Sequence, residues 1–108
     1  MSDGSDRRLV DRSGEDIGKI TDVIADPIDL HPEWLVVKLG RFAGEHLVPV
    51  AAVEERNGRY IAGFGKDDVK NAPRVKDHRA PRGAERAAQY KHYGLTAPPE
   101  RSHLHRAS

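Results

Sequence analysis

The sequence predicts a mainly β domain, and three observations carry this prediction. Short runs rich in Val, Ile and Leu recur between residues 9 and 69, and each is long enough only for a strand. Turn residues separate these runs, and Asn57-Gly58 is typical of a tight hairpin because a type I′ turn needs two positive φ angles. Only the segment after residue 80 has the composition of a regular helix. Five or six short strands joined by hairpins favour a small, closed or partly open β-barrel.

The first two strands are predicted on either side of a glycine turn. Residues 7–11 form a short strand, and the turn at 12–15 uses Gly14, which adopts positive φ without a steric penalty. Residues 17–25 form the second strand. Its apolar residues do not keep a period of two, and Gly18 lies where a β-bulge would restore the alternation.

The third strand, residues 34–39, carries the strongest strand signal. It follows a loop at 26–33 that contains two prolines. Apolar side chains occupy positions 34, 35, 36, 37 and 39, which predicts burial on both faces of the strand. Something must then cover the outer face. The cover could be the C-terminal helix, the loop before it, or another subunit.

The remaining elements follow from turn and helix signals. Residues 40–44 connect to a strand at 45–49, and the Asn-Gly hairpin leads to a returning strand at 60–64. Residues 66–73 have the pattern of a single helical turn that ends at a proline. A helix is predicted over 82–92.

Gly94 is the predicted C-terminal stop of that helix, which has a weak apolar face. The face is assigned to three alanines with two tyrosines near them, and such a helix needs a surface to pack against. Its residues are Ala84, Ala87, Ala88, Tyr90 and Tyr93.

Charge and composition exclude some classes of protein. The formal net charge is +1, too low for a general nucleic-acid-binding protein, and the absence of cysteine excludes disulfides and thiolate metal sites. We expect a cytoplasmic protein, because no signal peptide or apolar run of membrane-spanning length is visible. Twelve Arg against six Lys hint at a bacterial genome rich in G and C. Residues 79–108 hold six basic and two acidic residues, which indicates either a solubilising tail or an arm for RNA or an acidic partner.

No catalytic, cofactor or metal site is predicted. The glycine-rich stretch 58–67 lacks the Gly-Lys-Ser/Thr end of a phosphate loop, since Asp67 follows Lys66. The aspartates at 22, 26 and 29 lack the spacing of a calcium loop, and the six histidines do not cluster on predicted folded structure. Serines occur only in turns and tails, which are poor positions for a catalytic triad. We therefore expect a protein that is not an enzyme.

Several short segments, taken in order, resemble the PRC-barrel family. They are the Gly14/Gly18 turn and strand, the run 22–26, the strand 34–40, Leu47-Val48-Pro49 and the segment 66–73. The resemblance covers residues 7–77, and the sequence at 89–95 is similar to that of small stand-alone bacterial members. Related barrels occur in the photosynthetic reaction centre H subunit and in the C-terminal domain of a ribosome maturation factor. The resemblance implies a β-barrel adaptor that has no catalytic residues and often self-associates.

These interpretations lead to a defined set of expectations. The domain limits are a flexible N-terminus at 1–6, the barrel at 7–77, a linker and helix at 78–95, and a disordered tail at 96–108. The leading hypothesis is a protein-binding adaptor that forms a homodimer, and the alternative is an RNA- or ribosome-associated factor that uses the basic C-terminal segment. An exposed aromatic beside an arginine is favoured at interfaces, which draws attention to Phe42. The predicted partner-binding residues are Trp34, Val36, Arg41, Phe42, Tyr90 and Tyr93.

Overall fold

The fold is one six-stranded sheet with two helices packed against it. The computed structural model describes residues 7–26, 28, 30–40, 44–73 and 80–98. The strands are β1 Arg8–Asp11, β2 Asp16–Ala25, β3 Pro32–Lys38, β4 Glu45–Pro49, β5 Val53–Arg56 and β6 Arg59–Ala62. Helix α1 is Lys66–Lys70 and helix α2 is Gly83–His92.

The strand order is β4-β3-β2-β1-β6-β5, so β4 and β5 form the two ends of the sheet. Every neighbouring pair is antiparallel except β1 and β6, which are parallel. No ladder among the described residues joins β4 to β5, so the sheet is partly open. The predicted mainly β fold of five or six strands is confirmed, with six strands and a partly open sheet.

Tight turns and bulges form where the sequence indicates them. Asn57 and Gly58 have φ angles of 54° and 80°, as the predicted hairpin turn between β5 and β6 requires. Opposite β1, the partners of Leu9 and Val10 are Gly18 and Asp16, so Ile17 is the extra residue of a bulge. The predicted bulge is therefore present, one residue before Gly18. A second irregularity between β2 and β3 leaves Thr21 without a partner in the register.

Two buried clusters lie on opposite faces of the sheet. The inner cluster fills the concave side and is closed by Val69 of α1. Phe64 and Tyr93 pack against it from the side. Its buried members are Leu9, Ile17, Ile20, Leu35, Val37, Leu39, Val48, Ala62 and Val69. The outer cluster consists of Trp34, Val36, Leu47 and Tyr90, with Ile24, Leu95 and Ala97 packed against it.

The alternation of side chains along β3 explains why its sequence is apolar throughout. Leu35 and Val37 point into the inner cluster, whereas Trp34 and Val36 point into the outer cluster. Helix α2 supplies the cover on the outer face, through Tyr90. Among the described residues, the C-terminal helix therefore covers this face, which is one of the three covers that the sequence left open.

Helix α2 ends as predicted, but its packed face differs from the predicted one. Gly94 has a φ of 76°, its N–H donates to the carbonyl of Lys91, and the N–H of Leu95 donates to the carbonyl of Tyr90. This hydrogen-bonding pattern is a Schellman motif. The three alanines of the predicted apolar face (Ala84, Ala87 and Ala88) are exposed.

Polar residues occupy the packed face of α2 instead. Arg86 and Gln89 are buried together with Tyr90, at the i, i+3, i+4 spacing of one helix face. The prediction of an alanine face was wrong because Arg86 and Gln89 bury their long side chains with hydrogen bonds from Arg86 Nε to Glu33 and from Gln89 Nε2 to the carbonyl of Pro73.

Candidate protein-binding surface

Helix α2 is attached to β3 by an aromatic contact and a charged network. The rings of Trp34 and Tyr90 lie 5.1 Å apart at a tilt of 56°. Glu33 Oε2 accepts hydrogen bonds from Arg86 Nε at 2.9 Å and from Tyr90 Oη at 2.8 Å. Burial, and then the Glu33 carboxylate, raise the pKa of Tyr90 well above its usual value. The hydroxyl therefore keeps its proton and remains a donor to Glu33.

The residues that follow the helix are held against it. Arg86 also donates through Nη1 to the carbonyl of Pro98 at 2.6 Å, and Leu95 and Ala97 pack against the outer cluster. Ala97 and Pro98, which belong to the segment 96–108 predicted as a disordered tail, contact the outer cluster and Arg86. The reason is the guanidinium of Arg86, which can bond a carboxylate and a carbonyl at once. The part of that predicted tail after Pro98 lies outside the described residues.

The last turn of α2 reaches the inner cluster and α1. Tyr93 Oη donates to the carbonyl of Leu47 at 3.0 Å, and its ring lies 4.6 Å from that of Phe64. Burial, and then Asp68, raise the pKa of Tyr93 above its usual value. Gln89, with no exposed area, donates to the carbonyl of Pro73 at 2.7 Å. Helix α2 thus crosses the β4 end of the sheet and contacts both clusters.

The six predicted partner-binding residues have different positions in the fold. Trp34, Val36 and Tyr90 meet one another in the outer cluster, where they are 0%, 1% and 3% exposed. Tyr93 is half-buried against the inner cluster. The other two, Arg41 and Phe42, lie outside the described residues. Three of the predicted partner-binding residues therefore lie in the interior, where Trp34 and Val36 of β3 pack with Tyr90 of α2.

Exposed apolar side chains lie elsewhere, in β2 and in the connection between β2 and β3. The large hydrophobic side chains that stand exposed in the described part of the chain are Val23 at 43%, Ile28 at 41% and Leu30 at 74%. We call these three residues the hairpin-loop surface. From the sequence alone, residues 26–33 are predicted only as a loop. Two aliphatic residues among prolines and aspartates were the signal that could have indicated this surface.

Hydrogen bonds connect the described residues of this loop. Asp26 N donates to the carbonyl of His31 at 2.8 Å, and Leu30 N donates to the carbonyl of Asp26 at 2.8 Å. The Asp26 side chain accepts from Ile28 N at 2.7 Å. Leu30 has a φ of 63°, in the left-handed region that a leucine rarely adopts. The loop therefore keeps a strained leucine pointing into solvent.

The other residues considered for chemistry have structural positions. Lys66 and Asp67 begin helix α1, and Asp68 Oδ2 accepts a hydrogen bond from Gly65 N at 3.0 Å. The N–H of Gly65, the N-cap residue of α1, is therefore bonded to a carboxylate of the helix's own first turn. No group of three or more histidine, aspartate or glutamate residues in the described part of the chain is arranged to hold a metal ion. Within that same part, no helix has the length and apolar character needed to cross a membrane.

Fold and surface together define a small, mainly β domain. Its six-stranded sheet is partly open, and helices cover both of its faces. The comparison with protein families agrees with this description. A family model described as PRC-barrel domain matches residues 2–69, more than half of the chain. The chain belongs to the PRC-barrel domain family. A search of curated proteins found no match.

Proposed function

We propose that this domain is a non-catalytic cytoplasmic adaptor that binds other proteins, and that the hairpin-loop surface is its contact. The observation that carries the proposal is Leu30, which is 74% exposed on a left-handed backbone. Such backbone strain costs about 1–3 kcal/mol and is found most often at binding and active sites. Burying exposed aliphatic area against a partner contributes about 25 cal/mol for each Å² removed from water.

A second copy of the chain is one partner of this adaptor. The homodimer was predicted from the apolar residues on both faces of β3. In the structure, the outer side chains of this strand, Trp34 and Val36, pack under α2. We therefore transfer the dimer contact to the hairpin-loop surface. An isologous dimer would bring two copies of Leu30 together, because the same patch meets itself across a two-fold axis.

The alternative of an RNA- or ribosome-associated factor depends on the basic C-terminal segment. One of its cations, Arg86, is bonded to Glu33 and 7% exposed, so it is not available to phosphate. Arg82 and Lys91 are exposed, and the remaining cations at 79, 101 and 106 lie outside the described residues. This alternative stays a prediction, and nuclease treatment in the experiment below separates it from the adaptor.

The experiment compares tagged wild-type protein with the double variant Ile28→Ser/Leu30→Asn. Asparagine tolerates the left-handed backbone, so the variant removes the apolar side chain of Leu30 while keeping the loop conformation. The matched control is Ala87→Ser/Ala88→Ser on the exposed face of α2. Each protein is used to isolate partners from its source cells with and without nuclease, and its mass in solution is measured by analytical ultracentrifugation.

We expect the wild type and the alanine control to retain the same protein partners after nuclease treatment, and the loop variant to lose them. If a dimer forms, the loop variant should sediment as a monomer. Partners that persist in the loop variant would show that the hairpin-loop surface is not the contact. Partners that disappear on nuclease treatment would support the RNA-associated factor.

A further inference from the structure

Strand pairing places cations opposite one another on the sheet. Lys19 of β2 pairs with Arg8 of β1 on one side and with Lys38 of β3 on the other. Arg56 of β5 pairs with Arg59 of β6. Like charges directly opposite each other destabilise a sheet, so this arrangement has a cost in stability.

The parallel pair β1 and β6 joins these two groups. Leu9 pairs with Tyr60, and Arg8 and Arg59 each immediately precede this pair, so the two arginines are neighbours. A single row of cations therefore crosses five adjacent strands. Neighbouring strands lie about 4.8 Å apart, so the row is about 19 Å long. We call it the cation row: Arg56, Arg59, Arg8, Lys19 and Lys38.

The row lies on the outer face of the sheet and is open to solvent. The residues next to it along the strands belong to the inner side: Leu9, Ile20 and Val37 are buried in the inner cluster and Tyr60 packs against it. Alternation along each strand turns the cations to the opposite face. Four of the five residues are exposed and Lys38 is half-buried, so α2 leaves the row uncovered.

The arginines at two positions of the row form exposed ion pairs within the chain. Arg8 bonds Asp16 at 2.6 Å and Arg56 bonds Glu54 at 2.8 Å, with each side chain about half exposed or more. The single-contact pair of Arg56 contributes only about 0–1 kcal/mol, so another carboxylate can replace Glu54 at little cost. Arg8 instead bonds both carboxylate oxygens of Asp16, at 2.6 and 2.8 Å, and such a bidentate pair is stronger. In the described part of the chain, no carboxylate forms an ion pair with Lys19 or Arg59.

The chemistry of the row favours a peptide over a nucleic acid. Single-stranded nucleic acids stack on exposed aromatic rings, but Tyr60, Phe64 and Tyr93 pack at the inner cluster and Trp34 and Tyr90 lie in the outer one. Carboxylates lie beside the row, and the net charge of the chain is only +1. Both properties disfavour binding of a nucleic acid, whose phosphates extend beyond the row. An extended peptide of about six residues spans about 20 Å, which matches the row.

We propose that the cation row binds an extended acidic segment of a partner protein. This inference goes beyond the adaptor proposed above, because it concerns a different surface and a partner of defined charge. The acidic side chains would bond Lys19 and Arg59 and exchange with the carboxylate of Glu54 that Arg56 holds. Because the contacts are exposed, the binding weakens as salt is added.

The test measures binding of fluorescein-labelled octaglutamate by fluorescence anisotropy at low ionic strength. The variant Lys19→Glu/Arg59→Glu reverses two charges of the row. The matched control, Arg82→Glu/Lys91→Glu, makes the same change of net charge at exposed positions of α2 and its N-terminal boundary. We expect the affinity to fall about tenfold or more in the row variant and to change about twofold or less in the control.

Loss of fold cannot account for the expected result. Reversing Lys19 places opposite charges across from Arg8 and Lys38, which stabilises cross-strand pairs, so the row variant should melt no lower than the wild type. The loop variant Ile28→Ser/Leu30→Asn should bind octaglutamate as the wild type does. Failure of the adaptor proposal is therefore distinguishable from failure of this one.

Three results would overturn the proposal. The first is no binding of octaglutamate by the wild type, and the second is an equal loss in the row variant and the control. The third is tighter binding of an octanucleotide than of octaglutamate, because that result would assign the row to nucleic acid.

Discussion

Gly18 shows how a neighbouring strand fixes the identity of one residue. A Cβ at this position would lie 2.5 Å from the carbonyl oxygen of Lys38 and 2.8 Å from Cγ1 of Val37. Because these atoms belong to β3, relief of the contact would require the paired strands to move apart. The sequence indicated Gly18 through the broken alternation of β2, but the close approach of β3 depends on tertiary pairing that no local pattern contains.

We predict that Gly18→Ala lowers the free energy of unfolding by about 1–3 kcal/mol, the usual cost of overpacking. The measurement is urea denaturation followed by circular dichroism. Gly65→Ala is the control, because its Cβ would meet no atom within 4 Å and its φ of −105° suits alanine. Gly65 is the N-cap residue of α1, where alanine is less favourable than glycine, so the control should lose up to about 1 kcal/mol and less than Gly18→Ala loses. Equal stabilities for the two variants would contradict the contact inferred at Gly18.

Helix α2 shows which properties of an element can be predicted from the sequence. Its limits and its Gly94 stop follow from local signals, and the structure confirms both to within a residue. Its packed face cannot be predicted from local signals, because Arg86 and Gln89 form their hydrogen bonds in the interior with Glu33 and Pro73, which are distant in sequence. The same limit applies to the predicted partner-binding residues of β3. The apolar pattern of β3 predicts burial, but only the tertiary fold shows that the cover is α2.

We predict that Tyr90→Ala lowers the free energy of unfolding by about 3–5 kcal/mol, because it opens a cavity beside Trp34 and removes a donor to Glu33. Trp34 is the single tryptophan of the chain, so its fluorescence reports the attachment of α2 directly. Its emission should shift to the red in this variant at pH 7. Ala87→Ser, on the exposed face of the same helix, should leave both the emission and the stability unchanged. An unchanged emission in Tyr90→Ala would show that Trp34 does not depend on α2.

At the scale of the whole molecule, α2 couples the two clusters that the sheet separates. The family match ends at residue 69, before the helix begins, yet the outer cluster is complete only with Tyr90. Tyr93, one turn further on, packs against the inner cluster. Both tyrosines have raised pKa values, so each stays protonated in the folded chain at a pH where it ionises in the unfolded chain. Their effect on folding therefore belongs to the alkaline range.

We predict that the stability of the domain falls as pH rises above about 10, the ordinary pKa of tyrosine. Below that pH both tyrosines are neutral in both states, so their contribution is fully present. Above it the unfolded state releases protons that the folded state keeps, and each tyrosine lowers stability by up to about 1.4 kcal/mol per pH unit.

Urea denaturation between pH 8 and 11.5 tests this by comparing the wild type with Tyr90→Phe/Tyr93→Phe. The variant loses hydrogen bonds to Glu33 and Leu47 and starts from a lower stability, so the slope against pH is the informative quantity. A shallower slope is expected in the variant, because it lacks the two hydroxyls whose pKa values the fold raises. Equal slopes would mean that these two hydroxyls ionise in the folded chain as readily as in the unfolded one, and that α2 does not shield them from water.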